Sequence, residues 1–307
     1  MDDEQKSMLL VGLACLDIIS YVPHFPLEDL QVPVDAIRWA LGGNAANSAQ
    51  VLGQLGSPVA LFTALGQDAV TWPIARQSLE AAKVDYSLAV RRAEDAFSIT
   101  SAIVNQASGS RTILHKRSEM NEPNFDEFQK LNLWPFSWIH FEARNQGEMR
   151  RMMDLAAEGL HHKPLVSVEV EKPYEGLTSL IPGARYVFLS KEFAQHIGCE
   201  DAASAVLAVA DRWADPGASV ICAWGEKGAT AFDGTTSKLL TAPVYPPSKV
   251  VDTLGAGDTF IAGTLHALFH GLGLEKAIDV GCQVAGAKCG QRGLLNIPLP
   301  KPLLPDS

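Results

Sequence analysis

Apolar runs that alternate with helical stretches constrain this sequence more than any other feature. Residues 8–19 form an almost continuous apolar run that only Asp17 interrupts, which is typical of a strand buried on both faces of a parallel sheet. Further runs follow, with helical patterns between several of them: PVALFTAL, WIHFE, LVSVEV, YVFLS and SVICAW. The alternation predicts a doubly wound α/β fold, in which helices flank a mostly parallel sheet.

The predicted helices lie between these runs. The first is NAANSAQVLGQLG, which follows Gly42-Gly43, and we expect Asn44 at its N-cap and Gly56 just beyond its end. Further helices are predicted near residues 146–160, after Lys191, and from Thr259 to His270. A doubly wound sheet requires helices of this kind between its parallel strands.

Two regions interrupt the alternation. Residues 18–41 contain strand-like pieces and three prolines but no helical pattern, and residues 97–115 alternate apolar and polar around a turn at Ser108-Gly109. The second pattern is typical of a hairpin with one face in water. We predict that about 18–41 and 97–118 form a small β-sheet lid on a single domain covering residues 1–307, because no linker, charge block or repeat divides the chain.

Charge and cysteine content narrow the class of protein. Lys and Arg total 25 against 35 Asp and Glu, so the formal net charge is −10, and 47% of the residues are hydrophobic. An acidic protein is poorly suited to neutralising nucleic-acid phosphates or an anionic membrane surface. Five scattered cysteines without a C-x-x-C pair favour neither a disulfide framework nor a zinc site. We therefore expect a folded protein with no nucleic-acid and no membrane partner.

The N-terminal residues and the hydropathy predict where the chain works. Residues 1–6, MDDEQK, lack the basic region of a signal peptide. No uninterrupted apolar run approaches the roughly 18 residues that span a bilayer. The expected location is the cytoplasm.

The stretch VVDTLGAGDTF, residues 250–260, is the most informative about chemistry. Gly255, Ala256 and Gly257 are three small residues in front of Asp258 and an apolar helical segment. Small residues let a ligand approach the backbone, and the unpaired N–H groups at a helix start bind anions. A carboxylate beside such an anion hole suits a base that removes a hydroxyl proton during phosphoryl transfer. On spacing alone, a tight turn with Asp258 as a helix cap fits equally well.

Two motifs together point to a family. Residues 252–258, DTLGAGD, match the D-T-x-G-A-G-D signature of the ribokinase-like (PfkB) sugar kinases, and residues 42–47, GGNAAN, resemble the second signature of that family. The similarity runs from about residue 8 to about residue 294. Within the family it is strongest to kinases that phosphorylate fructose at its 1-hydroxyl group, through the stretches WIHFEARN, VSVEVEKP and GCQVAGAKCG. The resemblance implies a ribokinase-like fold and a reaction that consumes ATP.

The resemblance also assigns a reaction centre and a sugar site. Asp258 matches the catalytic base of the family. The anion hole matches Gly255, Ala256 and Gly257, and the sugar-binding positions match Asp17, Gly43, Asn44 and Asn47. A carboxylate and amides are suited to this because they accept or donate hydrogen bonds to hydroxyl groups. From the residues alone, without the GGNAAN signature, a helix cap for Asn44 and a solvated surface for Asn47 are the favoured interpretation.

The nucleotide site is likewise implied by resemblance. Arg111 follows the hairpin turn and matches an arginine that reaches the ATP phosphates, although a lone arginine on a strand is usually a solvated edge charge. The family's turn resembles N-G-N-R, and Ser110 here replaces the second amide. The remaining nucleotide positions match Glu226, Gly228, Pro246, Cys282, Ala285 and Cys289. The two cysteines would share one helix face, where they either line an apolar slot or pack in the core.

Two metal ions are implied. Mg²⁺ accompanies ATP because phosphate charge must be neutralised during transfer, and Asp252 with nearby carbonyls resembles a monovalent-cation site that makes potassium an expected activator. The N-x-x-E motif that orders magnesium's water shell in many members is missing at residues 190–193, SKEF. Glu169, Glu171 and Glu192 are candidate replacements, and the sequence does not choose among them.

Other chemistries have weaker support. The pairs His161-His162 and His266/His270 fit surface or packing roles better than metal binding. No G-x-x-x-x-G-K-[ST] string and no G-x-S-x-G string occurs. A P-loop nucleotidase and an α/β-hydrolase are therefore not expected.

The resemblance thus predicts an ATP-dependent kinase that phosphorylates a ketohexose, with fructose and its 1-hydroxyl group as the leading substrate. The alternatives are another PfkB sugar kinase, such as a 6-fructokinase or a ribokinase, and a weakly active homologue that binds sugar or nucleotide. An intact Asp258 argues against the weakly active homologue. A homodimer that pairs its β-lids is also implied, in which the residue matching Asp29 reaches the partner's sugar site.

Overall fold

Two main sheets organise the computed structural model, which describes residues 7–92, 97–116, 122–158 and 162–299. The strands are β1 (Ser7–Val11), β2 (Cys15–Val22), β3 (Ala36–Gly42), β4 (Val59–Phe62), β5 (Ala64–Gly66), β6 (Val90–Arg92), β7 (Ile99–Asn105), β8 (Arg111–Lys116), β9 (Phe136–Glu142), β10 (Leu165–Val170), β11 (Tyr186–Leu189), β12 (Ser219–Ala223), β13 (Ala229–Asp233) and β14 (Lys238–Ala242). The helices are α1 (Asn44–Gln54), α2 (Thr71–Ala81), α3 (Phe125–Phe128), α4 (Gln146–Glu158), α5 (Lys191–His196), α6 (Ala202–Arg212), α7 (Ala256–Phe269) and α8 (Leu274–Cys289). None of the helices in these ranges is both long enough and apolar enough to cross a bilayer.

The larger sheet confirms the predicted doubly wound architecture. Its strand order is β14-β13-β12-β11-β10-β9-β1-β4, and the pairs from β12 through β4 are parallel. Each face carries its own apolar core, with Met8 and Leu10 in one and Leu9 and Val11 in the other. Both faces of β1 are therefore buried, which is why this part of the sequence is apolar without alternation.

The second sheet contains the strands that were expected in the lid. Its order is β3-β2-β7-β8, in which β2 and β7 are parallel and the two outer pairs are antiparallel. On one face of this sheet, Ile19 and Tyr21 are buried in a small apolar cluster that also contacts Leu254. On the other face, Trp39 and Leu114 are exposed. The sheet begins at Cys15 rather than near residue 18, and residues 117–118 of the expected lid lie outside the described residues.

Two apolar runs that were predicted as single strands are each divided between two sheets. The run 8–19 leaves the larger sheet after Val11 and enters the lid at Cys15, and PVALFTAL splits into β4 and β5. The first break follows from Gly12, where a Cβ atom would overlap Glu142, and from the Leu13 N–H, which donates to Glu142 Oε2 at 2.7 Å. An acidic side chain on β9 therefore diverts the chain from one sheet to the other.

The starts of α1 and α7 differ from the predictions. Asn44 is the first residue of α1, and the N-cap is Gly43, whose φ of 96° and close approach to the Leu13 carbonyl exclude a larger residue. Gly56, with φ of 89°, lies just beyond the end of α1 as predicted. Helix α7 begins at Ala256 instead of Thr259, one turn earlier than the apolar pattern indicates. Asp258 is therefore inside the first turn of α7.

Candidate active site

An open cleft lies between the lid and the starts of the helices that pack on the larger sheet. Its lining includes three residues predicted for the site together with others from the lid and the C-terminal segment: Asp17, Asn47, Gly255, Arg38, Leu254 and Gly293. The structure thus brings predicted sugar and anion-hole residues, more than 200 positions apart in sequence, to one cleft.

Asp258 is a buried carboxylate with no basic partner among the described residues. Its Oδ2 accepts a hydrogen bond from Asn47 Nδ2 at 2.7 Å. Burial first, and then the negative charge of Glu171, raise the pKa of Asp258 to about 7, while the Asn47 bond opposes the rise. A carboxylate with this proton affinity is suited to take a proton near neutral pH.

The backbone beside Asp258 offers free donors. Gly255 has φ of 76°, a conformation that favours glycine, and it caps α7. The Ala256 N–H donates to the Thr253 carbonyl at 3.2 Å, whereas the N–H groups of Gly257 and Asp258 have no acceptor among the described residues. A Cβ atom added at Gly257 would meet nothing within 4 Å, so a ligand can approach this amide closely. Of the three small residues, Ala256 therefore has its N–H group engaged within the turn.

Asp17 faces the cleft from the lid strand β2. It is buried, and burial raises its pKa to about 6, while a hydrogen bond from the Cys15 thiol, at 3.5 Å, opposes the rise. A Cβ atom on Gly42 would overlap the Asp17 carboxyl group, so a glycine is required where β3 passes this side chain. The first glycine of the GGNAAN motif thus makes room for the carboxylate.

Asn44 and Asn47 both point inward, so the solvated surface considered for Asn47 is excluded. Asn47 is 8% exposed, and its Oδ1 atom is buried with no hydrogen-bond partner among the described residues. Asn44 Nδ2 donates to Glu169 Oε1 at 3.1 Å and to Glu171 Oε2 at 2.8 Å. The side-chain nitrogen of each asparagine therefore donates to carboxylates, and the side-chain oxygen is left to accept a hydrogen bond from a ligand.

Two contributors were not found from the sequence. Glu142, at the end of β9, accepts hydrogen bonds from the N–H groups of Leu13 and Ala45 and so holds the start of α1. Ser48 Oγ donates to the carbonyl oxygen of Asp258 at 3.2 Å and ties α1 to α7. The only sequence signal for Glu142 was its place at the carboxyl end of a buried strand, where α/β proteins bind ligands.

The hairpin turn of the lid contacts the DTLGAGD segment. Arg111 Nη1 donates to Thr253 Oγ1 at 3.2 Å, and Thr253 Oγ1 donates to the Gly109 carbonyl at 3.3 Å. The hydroxyl groups of Ser108 and Ser110 contact each other at 2.8 Å. Arg111 is thereby brought next to the turn before α7, while Ser110 is engaged within its own turn.

Of the remaining residues predicted to bind the nucleotide, Cys282, Ala285 and Cys289 lie on α8. Cβ atoms added at Gly286 and Gly290 would press on Tyr245 and Pro247, so the helix packs closely on the segment that carries the exposed Pro246. Along the same helix Cys282 is buried, and Ala285 and Cys289 are partly exposed. Glu226 is exposed and lies 3.4 Å from Lys191, and Gly228 has φ of 81°.

Asp29 and the histidines lie elsewhere. Asp29 is exposed in the connection between β2 and β3, with φ of 64°, and it does not line the cleft. His266 Nδ1 lies 2.8 Å from Ser57 Oγ in the interior, and His162 Nε2 lies 3.0 Å from the Leu133 carbonyl, so both have packing roles. His161 is outside the described residues, within which no group of three metal-ligating side chains occurs.

The molecule thus combines a doubly wound sheet, a β-lid and a cleft between them next to a buried carboxylate. The sequence matches the pfkB family carbohydrate kinase over residues 5–302, and the chain belongs to this family. It is 39% identical over 295 residues to ketohexokinase from Mus musculus, a match that covers 94% of this chain and 98% of that protein. The protein is therefore a carbohydrate kinase.

Solved structures confirm the predicted ribokinase-like fold. Ribokinase from Arabidopsis thaliana, complexed with ribose and ATP, matches with a TM-score of 0.78 and 18% identity over 98% of this chain and 96% of that chain. Ribokinase from Cryptococcus neoformans, in complex with ADP, matches with a TM-score of 0.77 and 17% identity over 96% and 97% of the two chains. At these identities the matches establish the architecture.

Proposed function

We propose that this kinase transfers phosphate from ATP to the 1-hydroxyl group of a ketohexose, with fructose as the leading substrate. The observation that carries the proposal is Asp258, a buried carboxylate whose pKa is raised to about 7 beside free helix-start N–H groups. The choice of fructose is supported by the 39% identity to mouse ketohexokinase over almost the whole chain.

The geometry supports a direct, in-line transfer. The sugar lies in the cleft, where Asp17 accepts hydrogen bonds from its hydroxyl groups and Asn47 Oδ1 accepts another. Asp258 removes the proton of the attacking hydroxyl group as the hydroxyl oxygen bonds to the γ-phosphorus of ATP, while the bond from that phosphorus to the β,γ-bridging oxygen breaks and ADP leaves. The N–H groups of Gly257 and Asp258, with Arg111, stabilise the charge on the transferring phosphoryl group.

The nucleotide is proposed to lie along α8. The partly exposed positions Ala285 and Cys289, with Cys282 behind them, supply an apolar wall for the adenine ring, and Pro246 closes one side. Gly228 and the exposed Glu226 lie at the loop after β12, beside the sugar or phosphates of the nucleotide. This arrangement directs the phosphates toward the anion-hole turn before α7.

The chemistry of the carboxylates fits magnesium. Glu169 and Glu171 share the Asn44 amide and both act electrostatically on the Asp258 side of the cleft, whereas Glu192 is exposed. Lys172 Nζ lies 3.0 Å from both Glu171 Oε1 and Glu192 Oε2. Carboxylate oxygens are preferred ligands of Mg²⁺ and of its bound waters. We therefore propose Glu169 and Glu171 as the residues that order the ion, which neutralises ATP charge when bound.

Potassium activation stays a prediction of the resemblance alone. Both oxygens of the Asp252 carboxylate accept hydrogen bonds from the protein, and Lys288 Nζ lies 3.2 Å from Oδ2. This carboxylate does not fit a second cation, so an activating ion would have to bind neighbouring carbonyl oxygens. Turnover measured in potassium chloride and in tetramethylammonium chloride at equal ionic strength tests the prediction.

A dimer through the lid is proposed for the single domain. The outer face of the lid exposes Ile37, Trp39 and Leu114, with exposed fractions of 57%, 45% and 61%, and such an apolar face favours a second copy of the chain. Sedimentation should give a dimer, and Trp39→Ser should shift it toward monomer. If Asp29 completes the partner's sugar site, Asp29→Ala raises KM for sugar; an unchanged KM removes Asp29 from that role.

One assay separates the candidate activities. ADP release is measured with MgATP and a panel of fructose, fructose 6-phosphate, ribose and a nucleoside, and the product is identified by ³¹P NMR. Fructose 1-phosphate supports the proposal, whereas fructose 6-phosphate or a preference for ribose indicates another sugar kinase of the family. ADP release with none of the sugars, together with measurable nucleotide binding, would indicate the weakly active homologue.

A further inference from the structure

Lys288 is a fully buried lysine on α8 that the proposed transfer does not use. Its side chain has an exposed fraction of 0%, yet it carries an ammonium group. Nζ donates to the carbonyl oxygen of Asp252 at 2.7 Å and lies 3.2 Å from Asp252 Oδ2. Burial lowers the pKa of Lys288, and the charge of Asp252 opposes this change. Removing such a charge from water costs free energy, so its contacts must compensate that cost.

Asp252 receives hydrogen bonds from three separate parts of the molecule. The Leu254 N–H donates to Oδ1 at 2.8 Å, and the Gly293 N–H donates to Oδ2 at 3.1 Å. The Tyr21 hydroxyl group of lid strand β2 donates to Oδ2 at 3.4 Å. One carboxylate therefore joins the anion-hole turn, the segment after α8 and the lid.

The hydrogen bond from Leu254 to Asp252 lies next to the turn before α7, where phosphoryl transfer is proposed to occur. Leu254 precedes Gly255, which caps α7, so its N–H fixes the turn that presents the free amides of Gly257 and Asp258. Further contacts join the same parts: the Arg292 guanidinium stacks on the Tyr21 ring at 4.3 Å. A shift of Asp252 would therefore move the amide donors and the lid strand together.

We propose that Lys288 is a positioning residue for phosphoryl transfer: its ammonium group holds the Asp252 carboxylate, which orients the anion-hole turn and anchors the lid strand over the cleft. The inference rests on the proposed kinase function for its catalytic consequence. The burial and the hydrogen bonds that define the contact stand independently of the substrate.

A purely structural ion pair would behave differently. Breaking one partner of a buried pair is strongly destabilising, whereas replacing both by apolar or neutral groups is often neutral. A double replacement can thus restore the fold without restoring the orientation of the turn. Misplaced amides weaken binding of the transition state more than binding of the sugar, so kcat falls while KM changes little.

The experiment compares wild type with Lys288→Met, Asp252→Asn/Lys288→Met and the control Lys276→Met, an exposed lysine on the same helix. For Lys288→Met we expect the melting temperature to fall by roughly 5–15 °C. For the double variant we expect recovery to within about 5 °C of wild type, with kcat still lowered about tenfold or more and KM for sugar within about threefold. Lys276→Met should match wild type in both measurements.

A double variant that is stable and retains at least half of wild-type kcat would overturn the proposal, since the pair would then be only structural. If the control Lys276→Met lowers kcat as much as the Lys288 variants do, the proposal is overturned as well. If neither Lys288 variant is recovered folded, Tyr21→Phe decides: it keeps the ring but removes one donor to Asp252, and an unchanged kcat contradicts the proposal. Wild-type turnover is measured first on the sugar panel, so a wrong substrate is seen there and not in the variants.

Discussion

The start and the end of the segment 252–258 place the same residue type in opposite electrostatic surroundings. Asp252 and Asp258 are both buried, with exposed fractions of 1% and 8%. Asp252 lies against the Lys288 ammonium group and accepts backbone N–H bonds. Among the described residues, the Asp258 carboxylate bonds only to the neutral Asn47 amide, and the charge of Glu171 acts on it. A paired buried carboxylate holds structure in place, and an unpaired one gains proton affinity that can be used in a reaction.

Asp258→Asn should produce the largest effect on turnover. The amide keeps the shape of the side chain and can still accept a bond from Asn47, but it cannot take a proton. We expect kcat to fall roughly 10²–10⁴-fold, the range for loss of a general base. Steady-state ADP release measures this, with Ser48→Ala as a nearby control that retains the base; a variant with more than a tenth of wild-type kcat would remove Asp258 from its role.

The same substitution at the two positions should change stability in opposite directions. Asp252→Asn leaves the Lys288 charge buried without its partner and should lower the free energy of unfolding by about 3–5 kcal/mol. Asp258→Asn removes an unpaired buried charge and should raise it at pH 8 by on the order of 2 kcal/mol. Urea denaturation of both variants tests the contrast, which fails if the two changes have the same sign.

The contribution of Asp258 to the stability of the wild type, measured as the difference from Asp258→Asn, should fall as pH rises from about 4 to about 7. The pKa of Asp258 is raised from 3.8 to about 7 in the folded protein, so the folded state binds more protons than the unfolded state in this window. Activity should move the other way, because the base acts as a carboxylate: below about pH 7, kcat/KM should fall about tenfold for each pH unit. A profile that is flat between pH 5.5 and 7 would contradict the assignment.

Asn47→Ala should give the smallest change, a shift of that profile. Since the Asn47 hydrogen bond lowers the pKa of Asp258, its loss should move the midpoint of kcat/KM upward by up to about one pH unit. KM for sugar should also rise, because Oδ1 is lost. A midpoint that moves downward would show that Asn47 does not stabilise the ionised base.

The sequence predicted the fold class because the alternation of apolar runs and helices is enough to indicate a parallel sheet, without knowledge of individual side-chain contacts. It did not predict where the chain leaves that sheet. A run buried on both faces has no alternation, so residues 8–19 carry no mark of the change from β1 to β2 except Gly12. The contact that turns the chain involves Glu142, about 130 residues away, and such contacts are tertiary.

The site was predictable in its motifs and not in its electrostatics. The motifs DTLGAGD and GGNAAN predicted that Asp258 and Asn47 belong to one site, and the two side chains are hydrogen-bonded in the structure. Lys288, in the stretch GCQVAGAKCG, has the residue type of a surface position, and only its packing reveals that it is buried. The choice of Glu169 and Glu171 over Glu192 likewise depends on which side chains Asn44 reaches after folding.

The unpaired Oδ1 atom of Asn47 has a consequence for selectivity between sugars. Under the proposed function, a substrate hydroxyl group would donate to this buried acceptor, which has no donor among the described residues. An otherwise identical deoxy sugar would leave that oxygen desolvated and unbonded, at a cost of about 1–3 kcal/mol, or roughly a factor of 5–150 in kcat/KM. The cleft would therefore discriminate against a sugar in which this hydroxyl group is missing. Measuring kcat/KM for a series of monodeoxy ketohexoses would identify the hydroxyl group that donates to Asn47 Oδ1.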